Sequence, residues 1–252
     1  TLLPIFFDTV AGYTADSVSS MSTWGFATSL AMAIVALSAP FLGVFGDIRG
    51  MRKKLFSFFM LLGVAACAGM AFTPGMDFTS GPVAAGKVAS LILVLYIVSV
   101  IGFDASAIYY DAFLTDVTTE DRMDKVSTMG YGLGYIGGST IPLLIFLIMN
   151  LVGVPMLTCL AFVFGLTAVW WLAFSLPLLK NCEQTSGKPY EKGDVARSIK
   201  GVGTTIKEII ANKPMLIYIL SYFFYIDGVH TVISMATTYG TNLGLDSTGM
   251  ML

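Results

Sequence analysis

The sequence predicts an all-α membrane protein, on three observations. Hydrophobic residues fill 56% of its 252 positions and charged ones only 12%, with 18 Phe and 14 Met, a balance outside the range of soluble globular domains. Residues 24–46 and 55–73 are apolar or small throughout, and each, as a helix, crosses the roughly 30 Å of hydrocarbon in a bilayer. Between them runs Gly43-Val-Phe-Gly-Asp47-Ile-Arg49-Gly50-Met-Arg52-Lys53-Lys54, a turn whose cluster of cations places it on the cytoplasmic side.

Residues 1–7 lack the basic start and cleavage site of a signal peptide and read as the tail of a truncated first helix. Asp8 to Thr23 follows as a polar loop with acids and no cation. The second span covers about 24–46 and the third about 55–73, where Thr73-Pro74-Gly75 stops it, because Pro and Gly end helices. The fourth, about Val88 to Phe113, is the first to carry acids, at Asp104 and Asp111, and a polar loop from Asp116 to Lys125 succeeds it. The fifth, about 126–149, holds Gly130, Gly134 and Gly138 at steps of four, a small-residue ridge on which helices pack closely. The sixth covers about 155–178, after a turn at Asn150 to Pro155.

Residues 179–213 form a linker that carries Lys180, Lys188, Lys192, Arg197, Lys200, Lys207 and Lys213, half of the 14 cations. Within it Val195, Ile199, Val202, Ile206 and Ile209 recur at steps of three and four, the pattern of an amphipathic helix on the inner membrane surface. The seventh span covers about 214–237, and residues 240–252 read as an outer loop and the start of an eighth. Of all Lys and Arg, Lys87 alone falls on the opposite side, which puts the N-terminus in the cytoplasm. The expected regions are a helix bundle over 1–178, a cytoplasmic linker over 179–213 and the start of a second bundle over 214–252, all part of a longer chain.

An ionised carboxylate near the bilayer centre costs at least ~2.5–3.5 kcal/mol, so an acid there faces a cavity, finds a partner or is protonated. Asp104 falls about 22 Å from the outer start of its span and Asp227 about 20 Å from the inner start of its own. His230 stands three residues from Asp227 and so on the same helical face, and histidine titrates near neutrality. Asp104, Asp227 and His230 are therefore the candidates for substrate binding or proton coupling. The competing structural reading has Asp227 and His230 bond each other or a neighbouring helix, and gives Asp104 a partner among Ser106, Tyr109 and Tyr110. Asp111, near the interface, reads as a snorkelled or paired structural charge, and Asp116 as a solvated loop charge or helix cap. In the charged turn, Gly43, Asp47, Gly50 and Arg52 are the candidates for a conformational gate, with Asp47 pairing to Arg52 or to the N-terminus of another helix in one conformer.

Other chemistries lack their parts. Cys67 and Cys159 lie in apolar runs and Cys182 in the linker, too few and too far apart for a disulfide framework or metal site. There is one His, no H-E-x-x-H and no phosphate-binding G-x-x-x-x-G-K-[ST]. Catalytic residues, cofactor, metal and nucleic-acid partner are accordingly not expected, and the chain reads as a non-enzyme.

The charged turn resembles the G-x-x-x-D-R-x-G-R-R signature of the major facilitator superfamily: Gly43, Asp47, Gly50 and Arg52 match, while Ile48 and Met51 depart from it. Three further stretches resemble its vacuole-effluxer-like permeases, a group with fungal autophagy-related amino acid effluxers and bacterial members. They are Trp24-Gly-Phe-Ala through Ala39-Pro40-Phe-Leu-Gly43, Tyr110-Asp-Ala-Phe-Leu-Thr-Asp116 leading into Gly130-Tyr-Gly-Leu-Gly-Tyr-Ile-Gly-Gly138, and Tyr222-Phe-Phe-Tyr-Ile-Asp-Gly-Val-His-Thr231. In the last, Ile226 and His230 replace the group's Asn and Gln, while Asp227 and Gly228 carry over. The resemblance implies the major facilitator fold, here as the N-terminal six-helix half plus the first helix of the second half. It further implies a secondary transporter in a bacterial inner membrane that exports a small polar metabolite such as an amino acid, with protons or sodium as candidate coupling ions. A sugar–cation symporter of the same superfamily is an alternative, as is a non-transporting protein such as a lipid scramblase or scaffold.

Overall fold

The structure, a computed structural model, describes residues 2–14, 20–187, 189 and 194–244. Lys188, Lys192 and the expected eighth span after 244 lie outside the described residues. The elements are helices: α1 (Leu2–Ala11), α2 (Ser20–Gly46), α3 (Arg52–Met70), α4 (Pro82–Ala112), a short α5 (Leu114–Val117), α6 (Met123–Gly134), α7 (Ile141–Leu151), α8 (Met156–Asn181), α9 (Asp194–Ala211) and α10 (Lys213–Asn242). Among the described residues six stretches are long and apolar enough to cross a membrane: Ser20–Gly46, Arg52–Gly75, Pro82–Val117, Glu120–Leu151, Met156–Asn181 and Lys213–Ile233.

The expected spans are present, with shifted ends. Asp8 lies inside α1, not in a loop, and its carboxylate accepts a hydrogen bond from the Ser20 hydroxyl at the start of α2. Helix α4 begins six residues before Val88, because Pro82 after Gly81 sits in the first turn, where a missing N–H costs nothing and the fixed φ suits a helix. Helix α10 runs on through Gly240 to Asn242. Between α6 and α7 the chain widens into a π-helical turn over Tyr135–Thr140. Pro142 follows it; a proline ring crowds the carbonyl four residues back, and a widened turn relieves that clash.

The chain divides into two units. One comprises Leu30–Asp77 and Ser90–Tyr190, and α3 is its axis. The buried positions of α3 are Arg52, Phe56, Met60, Gly63, Val64, Ala66, Cys67 and Met70, which apart from Ala66 form one stripe at helical spacing. The stripe packs with Tyr109 and Phe113 of the α4 end and with Ala168 of α8 in a single apolar cluster. Two glycines set how closely α3 and α4 cross. A Cβ at Gly102 would lie 2.6 Å from the Gly63 Cα and 2.8 Å from the Phe59 carbonyl oxygen, and a Cβ at Gly63 would overlap the Trp171 ring of α8.

The other unit comprises Thr1–Ser29, Phe78–Ala89 and Glu191–Leu252. Here Phe6, Phe7 and Val10 of α1 are buried with Trp24, Ala27, Phe78 and Val88. The Phe6 and Phe78 rings meet edge to face at 6.1 Å, and Phe7 tilts against Trp24 at 5.6 Å. Helix α1 also packs on α10.

The glycine ridge of α6 has few neighbours among the described residues. A Cβ at Gly134 or Gly138 would meet nothing within 4 Å, and one at Gly130 only the Tyr110 hydroxyl at 3.9 Å. Close approach falls instead on Gly63 and Gly102, isolated glycines in apolar runs. Gly102→Ala is expected to cost about 1–3 kcal/mol by overpacking against backbone, and Gly134→Ala to leave stability unchanged or slightly raised. Thermal unfolding of the two variants in detergent checks this; a Gly102→Ala protein as stable as the parent would contradict the crossing described.

Candidate functional site

The residues with most polar chemistry gather where α2 ends, α3 begins, α4 ends and α8 ends. Helix α3 opens with Arg52, Lys53 and Lys54, and their helical phase separates their fates. Arg52 heads the buried stripe and Phe56 follows one turn later, so its guanidinium is carried inward, with 6% of the side chain exposed. A buried cation at a helix N-terminus, the positive end of the dipole, requires an anion. Asp116, with a fully buried side chain, supplies it through an Arg52 Nη1 to Asp116 Oδ2 ion pair.

That pair is embedded in further bonds. Arg52 Nη1 also donates to the Ala112 carbonyl at 2.9 Å and the Ser186 hydroxyl at 3.2 Å. Ala112 closes α4, so the cation meets the negative end of that helix as well. Asp116 Oδ1 accepts the N–H groups of Thr185 at 3.1 Å and Ser186 at 2.9 Å, and both hydroxyls at 2.8 Å. Ser186 thus bridges the pair, donating to the carboxylate and accepting from the guanidinium. The guanidinium carbon lies 5.7 Å from the centre of the Phe113 ring. Lys53 takes another direction: its Nζ donates to the carbonyl of Cys182, just past the end of α8, at 3.1 Å.

The turn between α2 and α3 depends on Gly50, whose φ of +81° lies in the left-handed region that favours glycine. Asp47 is exposed just past the C-terminal end of α2. No ion pair to it exists among the described residues, and the pairing of Asp47 with Arg52 gives way to that of Asp116 with Arg52. Asp116 is therefore neither a solvated loop charge nor a cap. Gly43 has open space around it.

The intramembrane acids are placed as follows. Asp104 is half-buried on α4, 22 positions after Pro82 and eight before Ala112, roughly 33 Å from one end and 12 Å from the other. Two of the three groups expected to serve it donate their protons elsewhere: Ser106 to the Phe103 carbonyl at 2.8 Å and Tyr109 to the Leu42 carbonyl at 3.0 Å. Asp111 is exposed. Asp227 and His230 are both exposed on α10, Asp227 near the middle of that 30-residue helix. Asp104 belongs to one unit, Asp227 and His230 to the other.

Sequence reasoning missed Asp116, Thr185 and Ser186. The available signal was the phase of α3: Arg52 falls in register with Phe56 and Met60, so its side chain was bound to be buried and to need an anion.

Six membrane-length apolar helices among the described residues, two of them joined by this turn, define a multi-pass all-α membrane protein. The family profile described as "Vacuole effluxer Atg22 like" matches residues 9–251, and the chain belongs to that family. It is 37% identical over 258 residues to the uncharacterised MFS-type transporter YxiO of Bacillus subtilis (strain 168), a match covering the whole chain and 58% of that relative's length. It is 26% identical over 131 residues to autophagy-related protein 22-1 of Sclerotinia sclerotiorum, over 46% of the chain and 22% of that protein. Autophagy-related protein 22-1 of Penicillium rubens is also 26% identical, over 125 residues, 46% of the chain and 21% of that protein. No solved structure matches.

Removing one partner of a buried ion pair strands the other charge, at a cost of about 3–5 kcal/mol. Asp116→Asn is expected to lower stability on that scale, and Asp47→Asn, at an exposed position, by less than about 0.5 kcal/mol. Thermal unfolding of the two variants side by side checks this, and equal losses would show that Asp116 is not the partner that matters.

Proposed function

We propose that the protein is a secondary active transporter that moves a small polar metabolite, an amino acid on the best-supported reading, outward by alternating access. The observation that carries the reading is the buried Arg52–Asp116 pair at the signature turn: a desolvated charge pair joining helix ends is costly to keep for packing alone, and useful where those ends change partners. Gly43, Asp47, Gly50 and Arg52, joined by Asp116, form the gate. Asp47 supports it from the opposite sense. An exposed carboxylate at the C-terminal end of α2 is disfavoured by the dipole of its own helix and is available to the N-terminus of a helix in another conformer.

Asp104 and Asp227 serve substrate binding or coupling, with His230, three residues from Asp227, as a candidate proton carrier. Helix α10 supports this, since its apolar stretch from Lys213 to Ile233 exposes an acid and a histidine that a lipid-facing helix would exclude. In this reading residues 1–178 form the first bundle, 179–213 a cytoplasmic linker and 214–252 the start of the second bundle, in a bacterial inner membrane with the N-terminus in the cytoplasm. The cation distribution and the Bacillus relative support that orientation and place. Export rests on the family description, and the amino acid substrate on the resemblance to the fungal amino acid effluxers alone.

Counterflow of radiolabelled amino acids in proteoliposomes tests the proposal. Flux is expected with at least one of them, falling to the level of empty liposomes in Asp227→Asn and strongly reduced in Asp104→Asn. Parent-like flux in both variants removes the two acids from the mechanism. Accumulation that follows an imposed pH gradient supports proton coupling; accumulation that follows sodium alone points to the symporter alternative.

A further inference from the structure

We infer that the segment from Gln184 to Gly187 is a working part of the gate, with Gln184 as the residue that positions the turn; the inference rests on the gate reading above. Its partners lie far away in sequence. Gln184 Oε1 accepts from the Gly50 N–H at 2.8 Å and the Arg52 N–H at 3.3 Å, and Gln184 Nε2 donates to the Gly46 carbonyl at 3.0 Å. The amide orientation is fixed by these partners, since a backbone N–H only donates and a carbonyl only accepts.

The three backbone groups are those that a helix–turn–helix leaves orphaned. Gly46 is the last residue of α2 and Arg52 the first of α3, and helix ends lack intrahelical partners. No side chain of the turn caps α3, whose N-cap residue is Met51. One side chain from after α8 therefore caps both helices at once. The backbone behind it is equally committed. Gly187 has a φ of +114°, and a Cβ there would lie 2.7 Å from the Asp47 carbonyl oxygen and 2.9 Å from Gln184 Nε2. Only glycine brings the segment this close to the turn. Ser186 completes the attachment by bridging Arg52 and Asp116.

The conformation of residues 46–52 is thus held by a piece of the connection between α8 and α9. A gate that works by changing this turn has to carry the segment with it or release it. The segment acts as an intrachain strap, and the residues that set the gate extend beyond the signature motif to Gln184, Ser186 and Gly187.

Cys182 offers the readout. It is half-buried two residues before Gln184, while Cys67 and Cys159 are buried. Alkylation by a water-soluble maleimide is followed in the natural full-length protein, site by site, with peptide mass spectrometry. Gln184→Leu, which removes all three hydrogen bonds at similar volume, is expected to raise the Cys182 rate about tenfold while Cys67 and Cys159 stay unlabelled. Gln184→Glu, which keeps both accepted bonds, should fall between. Parent-like Cys182 rates in both Gln184→Leu and Ser186→Ala overturn the inference. Should Gln184→Leu misfold and expose Cys67 and Cys159, Ser186→Ala decides: a rise confined to Cys182 supports the strap and an unchanged rate sinks it. The readout uses no substrate, so a protein that moves no amino acid leaves the labelling result standing. Unchanged labelling in a protein that does transport removes the strap alone.

Discussion

Withdrawing a guanidinium and a carboxylate from water costs several kcal/mol per ion, and mutual attraction offsets this only when geometry and further hydrogen bonds are good. The Arg52–Asp116 pair meets that condition through groups from several parts of the chain: the Ala112 carbonyl at the end of α4, and the N–H and hydroxyl groups of Thr185 and Ser186 beyond α8. Arg52 Nε remains buried with no hydrogen-bond partner among the described residues. Apart from that atom the pair is satisfied only while these helix ends stay together, which makes it a main tie at this end of the unit.

The apolar interior follows from the same helix. Arg52 occupies the first position of the stripe that continues through Phe56, Met60, Val64 and Cys67, so the polar clasp and the hydrophobic cluster are successive turns of α3. Further along, Gly63 and Gly102 let α3 and α4 touch backbone to backbone, with Trp171 on top. Interiors packed this closely shift between discrete arrangements more readily than they deform. A unit clasped at one end and close-packed in its middle suits a body that moves whole, with change concentrated at the turn and strap.

Much of this was legible in the sequence, because apolar runs of membrane length and cation clusters are local signals. The spans follow from residues close together in the chain, whereas α3 starts at Arg52, three residues before the expected 55. What was not legible depends on pairing at long range. Asp116 sits among Thr115, Val117, Thr118 and Thr119 and looks like a loop charge; its partners lie 64 residues before it and 70 after. Gln184 looks like linker for the same reason. Glycine spacing is a different kind of signal: regular steps at Gly130, Gly134 and Gly138 announce a packing face, whereas the closest crossing among the described residues uses two glycines that share no spacing. Asp104 and Asp227 stood out because burial of acids is costly wherever it occurs, a statement about each residue singly that leaves their joint action to experiment.

Membership of the Atg22-like family and the major facilitator fold give this clasp its setting. The central claim is that Arg52 and Asp116 stabilise the protein through each other. A double-mutant cycle on stability with Arg52→Met, Asp116→Leu and the pair tests it most directly. The account predicts strong non-additivity, with the double variant less damaged than the sum of the singles by about 1–3 kcal/mol, because removing both charges strands neither. Additive losses would show that the two residues act independently, and the account would be wrong at its base.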